Sequence, residues 1–137
     1  MSGQGIDELL ARARARLDRV SARDAWREVR SGAAWLVDIR PAEQRAVEGE
    51  VSPGLAPHVI ERNVLEWRFD PRQEVALPGV GYDTRVIVMC QEGYTSSLAA
   101  DALRSLGLTR ATDLVGGFAA WRGEGLPIAR PAADRLA

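Results

Sequence analysis

The chain has 137 residues, 46% of them hydrophobic, enough to bury one core and to make one domain the expectation. Lys+Arg number 18 against 19 Asp+Glu, a formal net charge of -1, so no global field draws the protein to nucleic acid or to an anionic membrane. One cysteine and one histidine exclude an intramolecular disulfide and a zinc constellation, and with neither a signal-peptide pattern nor an apolar run of membrane-spanning length the expectation is a soluble, cytoplasmic protein.

Ile6, Leu10, Ala13, Leu17 and Val20 recur at four-three-four-three spacing, an apolar seam along an N-terminal helix. Arg12, Arg16, Arg19 and Arg23 line another face. They read as the solvated side of a helix packed on its own domain in preference to a surface for nucleic acid or a partner. Ser21, with Asp24 three residues on, resembles a capping box and opens a second helix through Trp26 and Val29, closed at Gly32. Residues 33–37 read as a first core strand, ending in Val37-Asp38-Ile39-Arg40. Asp38 and Arg40 either pair to support a neighbouring loop or form a surface ion pair worth about 0–1 kcal/mol.

Pro41 suits the first position of a short helix over 42–47, and His58 to Ile60 form a second short strand. A lone histidine beside an apolar strand reads as structural; a catalytic base would need an orienting partner that the sequence does not display. Leu65 to Phe69 predict a helical turn ended by Asp70-Pro71, and the stretch through Gly81 is loop by composition.

Val86-Ile87-Val88-Met89 has the all-apolar, β-branched character of a parallel strand buried on both faces. Cys90 follows at its carboxyl end, where open α/β sheets place their ligands. The loop Gln91-Glu92-Gly93-Tyr94-Thr95 leads to Ser96 and Ser97, expected N-caps of a helix whose apolar face is Leu98, Ala99, Ala102, Leu103 and Leu106. Inward-pointing loop N–H groups and the positive end of the helix favour an anion there, hence the thiolate, the nucleophilic form of cysteine. That context favours a reactive thiol over a small buried hydrophobe. A last strand over 111–115 precedes Gly116-Gly117 and a closing helix through Trp121, and residues 130–137 read as a loose C-terminal tail.

Three of these motifs, in order, resemble the rhodanese-like sulfurtransferases. Cys90, Gly93 and Ser96 match the family's C-x-x-G-x-R-[S/T] loop, with Thr95 where arginine is usual and Gln91 where a basic residue is frequent. Asp38 and Arg40 match its D-x-R element, and Leu114-x-Gly116-Gly117-x-x-x-Trp121 its closing helix. The turn from Gly49 to Gly54 resembles a further family element, with Glu50 in place of histidine and Ser52 inserted.

The resemblance implies an α/β, rhodanese-like fold, a parallel β-sheet flanked by helices on both faces, over residues 21–129, preceded by an N-terminal helical extension over 1–20. It implies a sulfurtransferase with Cys90 as nucleophile, Gln91, Glu92, Gly93, Tyr94, Thr95 and Ser96 as the active-site loop, and Asp38 and Arg40 in support. Cys90 would take sulfur from a small donor or a persulfidated protein and pass it to a thiol acceptor, with no metal or organic cofactor, no nucleic acid and no membrane involved. Backbone donors of the loop and the hydroxyls of Thr95, Ser96 and Ser97 would stabilise the persulfide anion. The alternative is a non-catalytic rhodanese-like module that binds a partner or carries sulfur. Phosphatase or arsenate reductase chemistry is set aside, because C-x5-R would put its arginine at Ser96.

Overall fold

A computed structural model describes residue 3 and residues 5–129; the tail expected over 130–137 lies outside the described residues. Helices are α1 (Ile6–Ala15), α2 (Ala22–Arg30), α3 (Ala42–Glu48), α4 (Leu65–Phe69), α5 (Thr95–Ser105) and α6 (Gly117–Gly123). Strands are β1 (Trp35–Asp38), β2 (His58–Val59), β3 (Val86–Met89) and β4 (Thr112–Asp113), in one parallel sheet of order β2-β1-β3-β4. Asp38 stands opposite Met89 and Val88 opposite Asp113, which aligns the carboxyl ends of β1, β3 and β4.

The sheet is covered on both faces, and β3 shows why its sequence is apolar without alternation. Val86, Val88 and Cys90 pack toward Leu65, Phe69, Ala99 and Leu103 of α4 and α5. Ile87 and Met89 pack toward Ala25, Val29, Phe118 and Trp121 of α2 and α6. All four strand residues are fully buried, each contributing roughly 1.5–3 kcal/mol if wholly removed from water. Among the described residues no helix is long and apolar enough to cross a membrane.

The N-terminal seam is only partly helical. Leu10 and Ala13 are buried, but α1 stops at Ala15 and Ile6 stays exposed. The chain then runs extended at Val20, whose N–H donates to the Asp113 carbonyl (3.1 Å) and whose carbonyl accepts from Val115 N–H (2.8 Å). These sheet-edge bonds, with Leu17 still packed on the core, replace the helical turn that the spacing predicts. At α2 the local signal holds: Ser21 Oγ accepts from Asp24 N–H at 3.1 Å and caps the helix. Pro41 sits one position earlier than expected, as the N-cap of α3.

Candidate active site

Cys90 is the first residue beyond β3, and its sulfur lies at the centre of the loop that follows. The Gly93 and Ser96 N–H groups donate to Sγ at 3.2 and 3.4 Å. Gly93 has φ +87, which turns its N–H inward, and a Cβ there would stand 2.8 Å from the Gly116 nitrogen. The loop is thus moulded against the start of α6. Phe118 and Ala119 N–H donate to the carbonyls of Cys90 and Gln91 at 2.8 and 2.9 Å, so the closing glycine motif holds the cysteine's own backbone.

Ser96 and Ser97 do not cap α5. The helix begins at Thr95 with Tyr94 in the cap position, and both serine hydroxyls donate to Asp113 Oδ2 at 2.8 Å. They are therefore turned away from the sulfur, which corrects the expectation that they would stabilise a persulfide; Ser96 contributes its backbone N–H instead. Asp113 ends β4, is fully buried, and also accepts from Arg19 Nε and Nη2 at 2.8 and 3.2 Å. A buried carboxylate demands such a set of partners.

Arg19 Nη2 and Arg14 Nη2 both donate to the Gly93 carbonyl, at 2.9 and 2.7 Å. The arginine face of the N-terminal segment is thus not simply solvated. Arg16 remains a surface pair with Asp101, and Arg23 one with Glu124, while Arg19 is drawn inward against the loop. The sequence held no local signal for this. Asp113 sits in a two-residue strand and Arg14 among six arginines between residues 12 and 27.

Arg40 and Asp38 are buried, which overturns the surface-pair alternative. Arg40 Nε and Nη2 donate to the two Asp38 oxygens at 3.0 and 2.7 Å, and Nη1 donates to Glu48 at 3.1 Å. The guanidinium also lies 4.2 Å from the Phe118 ring centre. Burial opposes its charge, but the two carboxylates prevail and raise its pKa above the ordinary value.

An open cavity of about 230 Å³ joins the two groups, lined by Ile39, Arg40, Pro41, Gln44, Cys90, Gln91, Glu92, Tyr94 and Thr95. Cys90 is 5% exposed at its floor, while Glu92, Tyr94 and Thr95 form an exposed rim. The structure therefore brings Cys90, Gln91, Glu92, Tyr94, Thr95 and Arg40 to one opening, while Gly93 and Ser96 are buried beneath it and Asp38 pairs with Arg40. A thiol with two inward N–H donors and a small solvent-connected space has room for one further heavy atom and donors for an anion.

His58 does not line this cavity. Its ring stacks on Trp35, with centroids 4.7 Å apart, and burial lowers its pKa from 6.5. A folded value below the unfolded one means that its contribution to stability is complete above about pH 6.5 and is lost as pH falls through the folded value. Thermal unfolding followed from about pH 7 to about pH 5 should show a declining melting temperature. In His58→Phe that part of the decline should vanish. Parallel pH profiles in the two proteins would contradict the assignment.

A family model for the rhodanese-like domain matches residues 21–124. A thiosulfate sulfurtransferase GlpE of Actinobacillus pleuropneumoniae is 34% identical over 109 residues, covering 80% of this chain and 90% of that protein. The maize adenylyltransferase and sulfurtransferase MOCS3-1 is 35% identical over 86 residues, 63% of this chain, yet the match spans only 17% of that larger protein. Among solved structures, a Rhodopseudomonas palustris protein of unknown function, described as a possible tyrosine phosphatase, superposes with TM-score 0.81. It is 32% identical, and the match covers 93% of this chain and 96% of that one.

Proposed function

The chain belongs to the rhodanese-like family, and on that footing we propose that it is a sulfurtransferase that carries sulfur as a persulfide on Cys90. The observation that supports this most strongly is the pair of Gly93 and Ser96 N–H groups aimed at the Sγ of a cysteine that lines an open cavity. Cys90 thiolate attacks the outer sulfur of a donor; the donor's S–S or C–S bond breaks, and the leaving group departs with the bonding pair. An acceptor thiolate then attacks the outer sulfur of the Cys90 persulfide, the bond to Sγ breaks, and the thiolate returns. No second cysteine is needed.

The cavity favours a neutral or protein-bound donor over thiosulfate. From Cys90 to Ser97 the loop contains no basic residue, and Glu92 is exposed at its rim. Arg40 lines the opening, but its guanidinium is already engaged by Asp38 and Glu48. Discriminating a dianion from water requires a charged fork of donors at the reacting sulfur, which Thr95 does not supply. Steady-state assays should show Thr95→Arg raising kcat/KM for thiosulfate by about tenfold or more, the equivalent of about 1.4 kcal/mol. Efficient wild-type turnover that neither Thr95→Arg nor Glu92→Ser improves would contradict this donor preference.

The absent loop arginine also favours a second reading, a module that carries sulfur or binds a partner without turning over small donors. Transfer from a persulfidated protein but from no small molecule would select it. A phosphatase reading finds no support in the loop, because Ser96 holds the position that an oxyanion-binding arginine would need.

A further inference from the structure

Three guanidinium groups packed close to the sheet are each matched by a carboxylate: Arg19 by Asp113, Arg40 by Asp38 and Glu48, Arg85 by Glu28. Arg14, in the last turn of α1, is different. Its Nε donates to Ser97 Oγ at 3.0 Å, its Nη2 donates to the Gly93 carbonyl at 2.7 Å, and its guanidinium lies 5.5 Å from the Tyr94 ring centre. All three partners are neutral, and among the described residues no carboxylate lies within ion-pairing distance of Arg14. It is half-buried, so part of its charge is shielded from water.

All three partners belong to the Cys90 loop or the first turn of α5. Gly93 is the residue whose N–H donates to Cys90 Sγ at 3.2 Å, while its carbonyl is the group that Arg14 grips. Two short contacts and one residue's backbone thus separate the guanidinium from the sulfur, a span of no more than about 10 Å, one Debye length at 0.1 M salt. The loop itself contributes no positive side chain, only Glu92.

We infer that Arg14 is a positioning residue for Cys90: from behind the loop it fixes the Gly93 backbone and supplies the positive potential that draws anions to the sulfur. This rests on Cys90 being the reacting group, and it gives the N-terminal helix a part in the site that lies outside the matched family region. Arg14 touches neither the sulfur nor the cavity, so it does not replace a charged fork at the rim. Its charge biases any anionic species at the sulfur, whether an incoming reagent or the persulfide.

The test is the ratio of Cys90 alkylation rates with iodoacetate, an anion, and iodoacetamide, its neutral analogue. Both attack the same thiolate, so the thiolate fraction cancels and the ratio reads the local potential. Arg14→Gln should lower the ratio by about threefold at low salt, the size expected for one charge at such a distance in a largely solvated setting. Arg14→Lys should restore it, and 1 M salt should compress the wild-type ratio toward that of Arg14→Gln. Arg16→Gln, which removes an equal charge from the surface pair with Asp101, should leave it unchanged. Circular dichroism checks the fold, and Arg14→Met serves if the glutamine variant is unstable. An unchanged ratio in a folded Arg14→Gln or Arg14→Met protein that still forms the persulfide would overturn the inference and leave the sulfurtransferase reading intact. A Cys90 that neither reagent modifies would overturn both.

Discussion

Asp113→Ala is expected to lower unfolding free energy by about 3–5 kcal/mol, the cost of leaving a largely buried charge without its partner. The carboxylate is fully buried and accepts two bonds from Arg19 and one each from Ser96 and Ser97. Removing it strands a guanidinium that is 18% exposed at its side chain, together with the buried Ser96 hydroxyl. It also frees the first turn of α5, whose Ser96 N–H points at the cysteine sulfur. Urea unfolding at constant m-value measures the loss. Combining Arg19→Met with Asp113→Ala should recover part of it, because the stranded charge goes too. A loss below about 1 kcal/mol would mean that the pair behaves as a surface contact.

Gly117→Ala should be as damaging, for a steric reason. The residue has φ +61, and a Cβ built there stands 2.4 Å from the Cys90 carbonyl oxygen and 2.6 Å from the Gln91 carbonyl carbon. The left-handed conformation alone costs an alanine about 1–2 kcal/mol. The overlap is with backbone, so the Cys90 loop or the whole of α6 must move. A total of about 3 kcal/mol or more is expected, with persulfide formation slowed by roughly 100-fold if the sulfur shifts by about 1 Å. Gly123→Ala, at the far end of the same helix with nothing within 4 Å, is the control and should stay within about 0.5 kcal/mol of wild type. Equal effects at the two positions would refute the close-approach argument.

These two residues mark what the sequence disclosed and what it withheld. The order of elements was legible because each carried a local signal: the Ser21 cap, the unbroken apolar run of β3, the glycine pair that opens α6. The cavity was legible as far as it is built from one continuous loop, and Arg40 joined it through the D-x-R spacing. What stayed hidden was every long-range polar contact. Asp113 lies 94 residues from Arg19, and Arg14 lies 79 from Gly93; no periodicity encodes such pairs. Ser96 and Ser97 misled for the same reason: serine at a helix start is a good cap, and only the buried carboxylate above them decides that their hydroxyls turn the other way. The seam through Val20 failed because helical spacing takes no account of an open edge on β4 waiting for hydrogen bonds.

Intact mass spectrometry tests the central claim most directly. The reduced protein would be incubated with a low-molecular-weight persulfide, with mercaptopyruvate and with thiosulfate in turn, then with an excess of acceptor thiol. The account predicts a gain of about 32 Da, one sulfur atom in persulfide linkage, from at least one donor. The gain should be confined to the peptide bearing Cys90, absent in Cys90→Ser, and lost when the thiol is added. A wild-type protein that gains no mass from any donor, although iodoacetamide readily labels Cys90, would contradict it.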